Sequence, residues 1–215
     1  MKFLKNYALK RFFILLLLLT LFVFVSAVAY VSAVSTDIAN SVFRLHVIAN
    51  SDSTKDQELK LKVRDRLLSY MNLLAKDCSS KEEVVELAKA HQENFKQIAK
   101  KTITENGFSY SVDIEIGNSY FPTKTYGDIS LPAGTYDALK VKIGNANGKN
   151  WWCVMFPPLC FVDVSSGVVP DNSKEEMKES LNDEEYDLIS KTDDNEIKFK
   201  FKLVEFFQNL RLGQK

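Results

Sequence analysis

The chain has 215 residues with 28 Lys+Arg against 28 Asp+Glu, a length that suits one folded domain with appendages. The charges are unevenly spread: the first 36 residues hold Lys2, Lys5, Lys10 and Arg11 and no acid, which leaves a mildly acidic remainder. Such a body lacks the basic patch that displaces counterions from nucleic acid, so no nucleic-acid partner is expected.

The basic start leads into an uncharged run from Phe12 to Thr36, with a centre at Ile14–Val25 of almost pure Leu, Phe and Val. The run is long enough to cross a bilayer as a helix. It is also laid out as a secretory signal, with Ala27-Val28-Ala29 and Val31-Ser32-Ala33 as small-residue cleavage sites. Cleaved signal and retained anchor both stay open. In either case the positive end stays in the cytoplasm and the body after Asp37 is exported.

In the body, VFRLHVIA (42–49) alternates as a strand: Phe43, Leu45 and Val47 face one way, Arg44, His46 and Ile48 the other. Asn50-Ser51-Asp52-Ser53 then breaks the chain. Thr54 and Gln57 fit a capping box for a helix with Leu59, Val63, Leu67, Tyr70 or Met71, and Leu74 as its stripe. Ser80 and Glu83 fit a second box, opening a helix that runs to about Thr104 with His91 on its apolar stripe and ends at Asn106-Gly107. The short join makes the two helices an antiparallel pair.

Phe108–Ile116 alternates strictly, the pattern of a strand with one buried and one wet face. Tyr120–Gly134 contains two prolines and two glycines and reads as a long loop or an irregular edge strand. Residues 135–156 read as a hairpin turned at Gly144–Gly148, with its second arm buried on both faces under the helix pair.

Asp171–Glu196 carries eleven acids and few large apolar residues, so it reads as a solvated linker, partly helical or mobile. Lys198–Leu212 regains helical periodicity through Phe199, Leu203, Phe206, Phe207 and Leu210.

The expected fold is α+β: a mainly antiparallel sheet packed by a helix pair, with an N-terminal transmembrane or signal segment and a C-terminal amphipathic helix. The expected divisions are 1–36 (signal or anchor), 42–169 (extracytoplasmic domain), 170–197 (acidic linker) and 198–215 (amphipathic helix).

The two histidines and three cysteines offer little chemistry. His46 with Cys153 or Cys160, and Asp52 nearby in sequence, would be the raw material of a Cys–His hydrolase. Both thiols sit in the apolar run NWWCVMFPPLCFVD (150–163), which raises a thiol's pKa and leaves it unreactive. Export permits a Cys153–Cys160 disulfide, although their spacing favours small buried apolar residues. His91 reads as a core histidine with one hydrogen bond. No His or Cys spacing suits zinc, and no glycine-rich loop suits phosphate, so no metal, cofactor or small-molecule substrate is expected.

The remaining candidates belong to a contact surface for another protein. Tyr120, Phe121 and Tyr126 are clustered aromatics of a kind enriched at interfaces, with Arg44, Arg64 and Lys124 as polar partners. His46 and Asp52 join them, as do Phe156 and Pro157, where the buried strand must emerge.

Four segments taken together resemble the stage II sporulation protein R family of endospore-forming Firmicutes: RLHVIANSD (44–52), DQELKLKVRD (56–65), FPTKTYGDISLPAGTYDALKVKIG (121–144) and NWWCVMFPPLCFVD (150–163). The resemblance covers about residues 42–164. It implies a signalling protein exported from the forespore into the space between the forespore and mother-cell membranes. There it would activate a membrane-embedded aspartic protease that processes pro-sigma-E factor, and would itself catalyse nothing. The family brings no catalytic residues to place on this chain.

Overall fold

The computed structural model describes residues 2–159, Val169 and residues 171–190. The expected helix at 198–212, and Cys160, lie outside the described residues.

The basic and apolar N-terminal segment is one helix, α1 (Lys2–Ser41), which runs without interruption into the body. There follow β1 (Phe43–Ile48), α2 (Thr54–Leu74), α3 (Lys81–Ala90), α4 (Gln92–Glu105), β2 (Val112–Phe121), β3 (Lys124–Tyr126), β4 (Ile129–Leu131), β5 (Gly134–Ile143), β6 (Asn150–Phe156), α5 (Asp171–Ser180) and α6 (Asp183–Ser190). The helix starts follow local chemistry. Ser53, rather than Thr54, caps α2 by accepting from the Asp56 amide, and Gln57 reaches the Ser51 carbonyl instead. Ser80 caps α3 through the Glu83 amide. The long second helix is broken at His91 into α3 and α4.

The sheet is mixed, in the order β2-β5-β1-β6. The central pair, β1 with β5, is parallel, while β2–β5 and β1–β6 are antiparallel. The expected 135–156 hairpin is therefore not formed: β1 lies between its two arms. The physical reason is that both faces of β1 are buried, so it takes a central slot. The 144–149 turn instead arches over the end of β1, where the Gly148 amide donates to Ala49 O (2.9 Å), the Asn145 amide to Asn50 Oδ1 (2.9 Å) and the Lys149 amide to Asp52 Oδ1 (2.7 Å). A Cβ at Gly148 would fall 2.2 Å from the Ser51 carbonyl oxygen, which explains the glycine.

One core lies between the sheet and α2–α4, built from Phe43, Leu45, Val47, Leu139, Val141 and Met155 against Leu59, Val63, Phe95 and Ala99. A second core covers part of the other face. It joins Phe121, Tyr136, Ala138 and Val154 to the last turns of α1 (Val34, Ile38, Ala39), the β3–β4 hairpin (Ile129, Leu131) and α5–α6 (Met177, Leu181, Ile189). The wet face expected from the polar alternation is found only at one end, where Asp113 and Glu115 flank Lys142. The segment at 120–134, expected as a long loop or an irregular edge strand, contains the end of β2 and a two-stranded hairpin. Asp171–Ser190, within the segment expected as a solvated, partly helical or mobile linker, forms two helices that bury Met177, Leu181 and Ile189.

Candidate functional site

The structure distributes the predicted site residues among three places. Arg44, His46, Phe121 and Tyr126 converge in the second core, where register explains the grouping: Arg44 and His46 alternate toward that face of β1, and Phe121 ends β2 on the same side. Arg44 is fully buried, with its guanidinium carbon 4.1 Å from the Phe121 ring centre and 4.6 Å from that of Tyr136. Its Nη2 donates to the Tyr126 hydroxyl (2.8 Å), which in turn donates to the Trp152 carbonyl (3.0 Å). Its Nε and Nη1 have no hydrogen-bond partner, and no carboxylate pairs with it among the described residues. Burial pushes Tyr136 up to about 12 and raises Tyr126, so both phenols stay neutral beside the cation.

His46 is 6% exposed and stacks on Trp152 with ring centres 3.6 Å apart. Its Nε2 is 2.7 Å from Asn150 Oδ1. Burial, with smaller contributions from Lys140 and Arg44, lowers its pKa to about 4, so the ring is neutral at physiological pH. Arg44, His46 and Phe121 therefore cannot serve as surface contacts, since the β3–β4 hairpin and the end of α1 cover the sheet face they occupy. Tyr120 and Lys124 are half-buried around the same hairpin, Tyr120 opposite Thr135 and Lys124 opposite Leu131.

The second place is the opposite end of the sheet. Asp52 is exposed but holds the arching turn through the Lys149 amide. Arg64 lies 4.2 Å above the Trp151 ring, with Asp65 Oδ1 2.6 Å from its Nη2. Asp56, beneath them, accepts from Asn50 and Ser51. Burial opposes its ionisation, but the hydrogen bonds from Ser51, Asn50, Tyr110 and Ser53 outweigh it and hold the carboxyl below its ordinary value. The NSD motif is thus built into the clamp around the end of β1.

The third place is concave. A cavity of about 460 Å³ opens where β6 ends, lined by Met155, Phe156 and Pro157, by Asn72 of α2 and Ala75 just past its end, and by Glu176 and Glu179 of α5. Leu73, next in sequence to Asn72, is 76% exposed, the one large apolar side chain left in the open outside α1 among the described residues. Leu73 stands off the apolar stripe of its helix, and that was the sequence signal for it. Glu176 and Glu179 gave no signal, because their approach to the corner depends on α5 folding back.

Among the described residues, the thiols and histidines do not assemble a nucleophile and base. Cys153 is buried in the core on the helix side and is disulfide-bonded, whereas His46 faces the other side of the sheet. Cys78 is the free cysteine among the described residues, and burial, Glu83 and Asp77 all raise its pKa. His91 Nδ1 is 2.8 Å from the Tyr70 hydroxyl, a packing role. No group of three or more His, Cys, Asp or Glu suited to a metal occurs among the described residues.

The fold and site thus define a small α+β domain that follows an apolar N-terminal helix and has a cavity at one corner. The family model for stage II sporulation protein R matches residues 39–166, and the chain belongs to that family. The stage II sporulation protein R of Bacillus subtilis (strain 168) is 37% identical over 185 residues, covering 80% of this chain and 83% of that protein. No solved structure matches.

Proposed function

We propose that this chain is an exported sporulation signal that activates a membrane-embedded aspartic protease in the mother cell, leading to processing of pro-sigma-E, and that it catalyses nothing itself. The carrying observation is the disposition of His46 and Cys153: sealed on opposite faces of the sheet, one neutral and stacked, the other disulfide-bonded. That arrangement favours a binding role over the Cys–His hydrolase alternative. Family membership supports the sporulation role. A disulfide-bonded Cys153 and an apolar N-terminal helix fit an exported chain, because disulfides persist in oxidising compartments. The contact surface is the cavity at Phe156 and Pro157, where aromatic and proline side chains meet a polar lining that includes Asn72, Glu176 and Glu179.

The test is co-expression of this chain, the protease and pro-sigma-E in a non-sporulating host. Processing that requires this chain is expected. Processing that proceeds equally well without it overturns the proposal.

A further inference from the structure

We propose that the chain's own C-terminal segment, residues 198–212, seats its apolar stripe in the cavity at Phe156 and Pro157 and covers that corner until the activation partner displaces it. The covering role rests on the reading of that corner as the contact surface.

The first observation is room for large apolar side chains. The cavity holds about 460 Å³ and its lining includes Met155, Phe156, Pro157 and Pro158. A cavity of roughly 150 Å³ takes one benzene-sized ring, so this one has space for about three. Residues 198–212 carry such side chains at helical spacing: Phe199, Leu203, Phe206, Phe207 and Leu210. An amphipathic segment laid into an apolar groove is a recurrent mode of peptide recognition. The second observation is charge. Because α5 buries Ser173 and Met177, it turns Glu176 and Glu179 outward at the cavity. Neither carboxylate is ion-paired among the described residues, and the cation of the lining is Lys76. The C-terminal segment brings Lys198, Lys200, Lys202 and Arg211 against one acid, Glu205. Exposed ion pairs are weak, so the two acids orient the segment while its apolar stripe holds it.

The third observation is reach. Ser180 lines the cavity and α6 (Asp183–Ser190) follows almost at once. At about 3.8 Å per residue across the join and 1.5 Å along the helix, Ser190 stands no more than about 22 Å from Ser180. Residues 191–197 bridge up to about 26 Å when extended, enough to return 198–212 to the corner. So short a tether makes the docking intramolecular, at an effective concentration of roughly millimolar. A weak contact then suffices to cover the cavity, and a partner can still displace it.

The experiment places the photo-crosslinking residue p-benzoylphenylalanine at Asn72, an exposed position in the cavity lining, and irradiates the purified protein. Peptide mass mapping is expected to find position 72 joined to a peptide within 198–212 of the same chain. No adduct to that segment, or adducts only to the segment of a second copy, overturns the docking. Phe206→Ser with Phe207→Ser, which removes two apolar anchors, is expected to cut the adduct at least about tenfold. An undiminished adduct overturns the role of the apolar stripe. In the co-expression assay at limiting amounts of this chain, the same double variant is expected to raise pro-sigma-E processing by about threefold or more, because the open corner becomes the populated one. Unchanged processing overturns the covering role. The adduct forms without the protease, so its presence beside unchanged processing faults the contact-surface reading and not the docking.

Discussion

Arg44 is a buried cation with no carboxylate paired to it among the described residues, an arrangement that costs on the order of several kcal/mol before compensation. The faces of Phe121 and Tyr136 return roughly 0.5–2 kcal/mol each. The Tyr126 hydroxyl supplies the one hydrogen bond the guanidinium makes to the hairpin. Tyr126→Phe leaves that N–H and the Trp152 carbonyl without this partner, and is expected to destabilise the chain by about 2–3 kcal/mol in a denaturant titration. A loss below about 0.5 kcal/mol would show that water replaces the hydroxyl and that the hairpin is not latched there. Two residues along, His46 makes stability depend on pH. The unfolded ring takes up a proton near 6.5, while the native ring does so only near 4, so protonation favours the unfolded chain. Its contribution is complete above pH 6.5 and declines as pH falls toward 4, by up to about 3 kcal/mol. His46→Phe keeps the stack on Trp152 and removes the titration. Melting temperatures of the two proteins, compared from pH 7 to 4.5, should converge as the pH falls. Parallel curves would mean that the native ring is protonated as readily as in water.

At the scale of elements, the loop over the end of β1 is set by sterics. Gly148→Ala pushes a Cβ against the Ser51 carbonyl and is expected to cost about 1–3 kcal/mol, whereas Ser53→Ala removes only a cap and costs about 1 kcal/mol. Thermal melts that rank the two in the opposite order would show that the loop moves away freely. That loop also shows what the sequence could and could not convey. Strands at 42–49 and 150–156 and a helix from 54 are legible because alternation and capping act within a few residues. The insertion of β1 between β5 and β6 is not legible, since a glycine-rich turn between two strands reads as a hairpin whether or not a third strand separates them. Arg44 and His46 were legible as a pair on one face, but not as buried, because a polar alternation looks the same under solvent and under a second layer. That layer is assembled from α1, the β3–β4 hairpin and α5–α6, pieces remote in sequence.

For the molecule as a whole, the question is which exterior feature carries the signal once the polar residues of β1 are accounted for inside. Among the described residues the largest apolar exposure outside α1 is Leu73, the sequence neighbour of Asn72, which lines the cavity at Phe156 and Pro157. The acidic side of that cavity comes from α5, which reaches the corner only because α5 and α6 bury Met177, Leu181 and Ile189, and because Lys174 pairs with Asp128 of the hairpin at 2.7 Å. Contact energy in protein interfaces concentrates in a few apolar anchors with polar surroundings, so substitutions here should weaken activation without weakening the fold. Leu73→Asp, and separately Glu176→Lys with Glu179→Lys, are expected to lower pro-sigma-E processing in the co-expression assay at least about tenfold, equivalent to about 1.4 kcal/mol of contact energy. Because Leu73, Glu176 and Glu179 project from helix surfaces, melting temperatures should stay within a few degrees of the parent. His46→Phe serves as the opposite control, shifting the pH dependence of the melt while leaving processing near the parental level. If the corner variants process normally while still folded, the signal leaves the molecule by another face. The surface around Arg64 and Trp151, at the far end of the sheet, would then be the next to test.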